Sequence, residues 1–78
     1  MFGEKHDLFH EFPEHRQRIH ELIANDNHFA HLAGKYDEVD QEIYRIEQGV
    51  ETPSDEYTEQ LKKKRLLLKD ELLALITA

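Results

Sequence analysis

Histidine is the residue type through which this chain could do chemistry, with six copies among 78 residues. His6 and His10 are four apart, and His28 and His31 three apart. On a helix either spacing puts two imidazoles on one face, where they could ligate a metal. The stretch His10-Glu11-Phe12-Pro13-Glu14-His15 approaches the His-Glu-x-x-His pattern of zinc proteases but fails it. Glu14 stands where the second His is required, and Pro13 interrupts the helix on which the motif depends. A structural zinc site wants four well-placed ligands, and the chain has no Cys to offer. His6, His10, His28 and His31 are therefore marginal candidates, and neither a metal site nor a cofactor is expected. The formal charge of −7 would rise to about −1 with every His protonated, so a His-rich metal- or pH-responsive binder is one functional reading.

Other catalytic chemistry finds less support. Asp37, Glu38, Asp40 and Glu42 form an acidic run, which on a helix reads as a solvated face. Acid–base work would need a pocket to shift their pKa values. No Gly-rich phosphate loop and no nucleophile with a base beside it can be found. No catalytic residue is expected, and the chain is not read as an enzyme. Lys62-Lys63-Lys64-Arg65 is the one basic cluster. It lacks the interleaved aromatics of a nucleic-acid platform, and an acidic chain repels phosphate. Nucleic acid is disfavoured as a partner, and a weak RNA-associated module ranks third.

The elements that must position these residues are helical. No Gly or Pro falls between Lys35 and Gln48 or between Ser54 and Ala78. Phe29, Leu32, Tyr36, Val39, Ile43 and Ile46 recur with alternating spacings of three and four, a heptad seam. Gly49 sits where a left-handed helix cap is expected. Thr52-Pro53-Ser54-Asp55 reads as a helix start, with Thr52 as N-cap and Ser54 as its close competitor. Tyr57, Leu61, Leu68 and Leu75, with Leu72 beside them, line the second long helix. A loop of about three residues, 49–51, makes the two helices antiparallel neighbours.

The fold class is therefore all-α, an antiparallel hairpin of two long helices preceded by a short N-terminal helix. Residues 1–12 are a leader with freedom to move, and 13–78 a single domain with helices at about 13–24, 27–48 and 53–76. Asp26 is a plausible N-cap at a break after Asn25. The register sets Ile46 near Tyr57, Ile43 near Leu61, Tyr36 near Leu68, Leu32 near Leu72 and Phe29 near Leu75. It also sets Asp40 beside Arg65, a salt bridge flanking the seam. As an exposed pair it would contribute about 0–1 kcal/mol, so its role is to fix register.

Phe29-x-x-Leu32 with Tyr36-x-x-Val39-Asp40-x-x-Ile43, followed by Leu61-Lys62-Lys63-Lys64-Arg65-Leu66-x-Leu68-Lys69-Asp70-Glu71-Leu72, resembles the small bacterial YdcH-like family, the domain of unknown function numbered 465. Phe12-Pro13-Glu14-His15-Arg16 resembles that family's opening, and the likeness runs from about Phe12 to the end. The resemblance implies a helical hairpin in a bacterial cytoplasmic protein and transfers no activity.

Leu66, Leu67, Leu73 and Ile76 cannot all face the Phe29–Ile46 seam. Burying each would be worth about 1.5–3 kcal/mol, so something should cover them. Either the first helix folds back over them or a second chain does. The leading expectation is a non-catalytic protein-interaction or self-associating module, with these four residues binding a second copy (a homodimer) or another protein. No stretch is long and apolar enough to span a bilayer, so a cytoplasmic protein without a membrane partner is expected.

Overall fold

The computed structural model describes residues 8–78. His6 lies outside the described residues. The elements are α1 (Leu8–Glu11), a 3₁₀ turn (Pro13–His15), α2 (Arg16–Asn25), α3 (Asn27–Glu47) and α4 (Asp55–Ile76). The two long helices, α3 and α4, pack against each other as an antiparallel hairpin, and α2 packs on both.

Each boundary has a local cause. Asp26 takes an extended backbone conformation and ends α2, while its Oδ1 accepts the Phe29 amide at 3.1 Å to start α3. One residue thus serves two helices and turns the chain back along α3. Ser54, not Thr52, caps α4. Its Oγ accepts the Tyr57 amide at 3.2 Å, which satisfies one of the first-turn donors and leaves Pro53 outside the helix. Asp55 and Glu56 then sit at the positive end of the helix dipole. The α-helical part of the first segment begins at Arg16 rather than Pro13, because Pro13 opens a 3₁₀ turn first.

At the end of α3 the Gly49 amide donates to the Ile46 carbonyl at 3.1 Å, and the Val50 amide to Arg45 at 3.0 Å. This is the paired pattern of a Schellman cap, and it needs a left-handed residue. Gly49 supplies it with φ of 79°. A Cβ there would meet nothing within 4 Å, so only backbone strain opposes a side chain. Gly49→Ala is expected to cost about 1–2 kcal/mol. Gly34, mid-helix with equally open surroundings, should behave oppositely, Gly34→Ala gaining about 0.5–1 kcal/mol. Urea unfolding of both variants checks the pair, and a shared sign would contradict the assignment.

The core is continuous. Phe29, Leu32, Tyr36, Val39 and Ile43 from α3 meet Leu61, Leu68, Leu72 and Ile76 from α4, and Leu8, Phe12 and Ile19 close over them. Polar contacts tie the N-terminal segment to α4. Lys69 Nζ lies 3.4 Å from Glu11 Oε1 and 5.8 Å from the centre of the Phe12 ring, and Arg18 Nε donates to the Ile76 carbonyl at 3.5 Å. The leader expected at residues 1–12 thus includes a helical turn, and Leu8 and Phe12 are part of the core.

Tyr57 departs from the expected seam. Its ring is exposed, and its hydroxyl donates to the Glu42 carboxylate across the closed end of the hairpin. A phenol satisfied by a surface carboxylate keeps its proton and has no need of the core.

Candidate functional site

The chemistry of this molecule is concentrated on α4, whose two sides are built differently. Leu61, Arg65, Leu68, Leu72 and Ile76 recur at spacings of three and four and face α3. Arg65 therefore occupies a position in the seam itself. Opposite it, Asp40 lies four residues after Tyr36 and three before Ile43, on the same inward stripe. Arg65 Nη1 donates to Asp40 Oδ1 at 3.0 Å, and the two side chains are 22% and 2% exposed. The structure thus brings Asp40 and Arg65 together, but inside the interface rather than beside it. The energetic regime changes with that placement. A buried carboxylate depends on its partner far more than a surface one does.

The other side of α4 carries Leu66 and Leu67, 57% and 65% exposed, and Leu73, 38% exposed. Leu66 and Leu73 are seven apart and stack along one line of the helix, with Leu67 beside them. Ile76 does not belong with them. It is 4% exposed and sits in the core at the end of the hairpin that α2 covers. Its assignment to a partner-binding surface is corrected on that ground. Ile76 falls four residues after Leu72, which places it on the inward stripe.

The remaining site candidates are scattered. His28 lines a shallow cleft with Leu32, Glu71, Ala74 and Leu75, whereas His10 lines another with Phe9, Pro13 and Arg16. His31 is exposed on α3. Among the described residues no three His, Asp or Glu side chains converge as metal ligands would. His20 stacks on Phe9 with ring centres 4.7 Å apart, a packing role that spacing did not indicate. Lys62, Lys63 and Lys64 are exposed on α4, and only Arg65 of that cluster turns inward.

At the closed end of the hairpin, geometry displaces the pKa values of Arg45 and Tyr57. Arg45 is held charged above its ordinary value by its hydrogen bond to Glu51 in the loop. The Tyr57 phenol is held above the ordinary tyrosine value, first by its hydrogen bond to Glu42 and then by partial desolvation. A raised value in the folded chain means that this contact stabilises fully below the phenol's ordinary pKa. The stabilisation is lost as pH rises through the raised value. Tyr57→Phe should accordingly delete, from a spectrophotometric alkaline titration, a step lying above the ordinary tyrosine range. A deleted step at or below that range would contradict the contact.

No helix among the described residues is long and apolar enough to cross a membrane. A family described as Protein of unknown function (DUF465) matches residues 29–76, more than half of the chain. The matched stretch holds the whole hairpin and begins at Phe29, so residues 12–16 lie outside it. No curated protein and no solved structure matches the chain.

Proposed function

We propose, from the premise that this chain belongs to the DUF465 family of proteins of unknown function, that it is a non-catalytic helical module which binds protein through the outward strip of α4. The observation that carries this reading is the exposure of Leu66, Leu67 and Leu73 on the side of α4 turned away from its own core. The core is already closed by α2 and by Ile76, so nothing in the fold of one chain requires leucine at these positions. Each would gain about 1.5–3 kcal/mol on full burial, which is the free energy a partner can use. The placement of the carboxylates supports the non-catalytic half. Asp37 and Glu38 are solvated, Glu42 binds the Tyr57 hydroxyl, and Asp40 is bound to Arg65. The family likeness supports the bacterial cytoplasm as its compartment.

Photo-cross-linking in living cells tests the reading, with a photoreactive amino acid replacing Leu67 in one variant and Glu38, exposed on α3, in another. Protein adducts are expected from position 67 and not from position 38. If position 67 captures no protein, the strip is not a binding surface and the proposal fails.

A further inference from the structure

We infer that the occupant of the α4 strip is a second copy of this chain, packed antiparallel about a two-fold axis beside Leu66 and Leu67. This rests on the binding reading above and narrows it to one partner. Charges of opposite sign frame the leucines. Lys63 precedes them and Asp70 follows, seven residues apart on one line of the outward side, and both are exposed. Lys69, next to Asp70 in sequence, is drawn off to Glu11 and the Phe12 ring, so it does not offset that carboxylate. The strip therefore changes sign about its own midpoint.

A surface of that kind is complementary to itself in one orientation only. Turned antiparallel, the Leu66 and Leu67 side chains of the two copies meet, and Lys63 meets Asp70 of the second copy. Two-fold symmetry makes every one of these contacts twice. Turned parallel, lysine would face lysine and aspartate aspartate, which is repulsive. Glu59 then falls opposite Ala74 of the second copy, a polar margin beside a small apolar centre. Such a contact is short for a stable dimer, so the dissociation constant should be roughly micromolar or weaker.

Sedimentation equilibrium of the full chain tests this, from micromolar to millimolar concentration. The wild type should fit a monomer–dimer equilibrium. Lys63→Glu should dimerise about fivefold more weakly or worse, because two attractive contacts become repulsive. Asp70→Lys should weaken dimerisation similarly, although it reduces the negative charge of the chain. General charge repulsion alone would predict tighter association for that variant. An equimolar mixture of the two should form a heterodimer of about wild-type affinity. Circular dichroism confirms that each variant is folded.

A wild type that stays monomeric at millimolar concentration overturns the inference, as do charge variants that dimerise like the wild type or a mixture no tighter than its parts. The Leu67 cross-link separates the two levels of the argument. An adduct at twice the mass of the chain supports the second copy. Adducts only of other masses, with a monomeric wild type, sink the dimer and leave the binding reading standing.

Discussion

Arg65→Met is expected to lower the unfolding free energy by about 3 kcal/mol, although it keeps the apolar stem of the side chain and removes no apolar contact of the core. The loss arises at Asp40, which is 2% exposed and whose Oδ1 accepts from Arg65 at 3.0 Å. Removing one member of a buried pair leaves the other's charge poorly compensated, a cost of about 3–5 kcal/mol. Arg65 is itself 22% exposed, so water can reach the vacated position, which places the effect at the lower end. Against a total of about 4–12 kcal/mol for a chain of this length, that is a large share.

The double variant Asp40→Leu/Arg65→Met should recover most of the loss and could exceed the wild type by about 1 kcal/mol, since an apolar pair of similar volume avoids desolvating two charges. Its cost should show elsewhere. Without a polar pair at one seam position, the hairpin loses a constraint on register, as coiled coils do when a buried polar residue is replaced. Doubled or broadened amide resonances in α3 and α4 are the expected sign. A double-mutant cycle in urea, with no coupling between the two positions, would show that the bridge does not hold the register.

Ile76→Ala and Ile19→Ala should each cost about 2–4 kcal/mol, the range for emptying a close-packed aliphatic site. Both side chains are almost fully buried, in the region where Arg18 meets the Ile76 carbonyl. The two losses should not add, because the residues share the packing between α2 and the end of α4. If α2 were detached from the hairpin, Ile19→Ala would have almost no effect on stability. Equilibrium unfolding of the two singles and the double decides this.

Much of the hairpin was legible because its signals are local and redundant. The three-and-four spacing from Phe29 to Ile46, Gly49 at the cap and the Asp26 break each follow from short-range chemistry. Arg65 was less legible. Its position four after Leu61 and three before Leu68 places it in the seam, but an arginine inside a basic run reads first as surface. The signal was the spacing, and the residue type masked it. Ile76 was misplaced for the opposite reason. Beside Leu73 and two other exposed leucines it resembles surplus apolar surface, although its spacing from Leu72 puts it on the inward stripe, where the return of α2 covers that end of α4. That return depends on a long-range fold-back that no local pattern encodes. Tyr57 falls between these cases, since its seam spacing is right and its hydroxyl is better satisfied outside, by Glu42.

On the proposed reading, one side of α4 folds the chain and the other is free for a partner. Urea unfolding of Leu66→Glu/Leu67→Glu against Leu68→Ala, at concentrations low enough to keep the chain monomeric, tests that division directly. The outward double variant should unfold within about 0.5 kcal/mol of the wild type, as surface substitutions do. Leu68→Ala, one residue further along and facing α3, should lose about 2–5 kcal/mol. A Leu66→Glu/Leu67→Glu chain as unstable as Leu68→Ala would place those leucines in the core and leave no free strip for a partner.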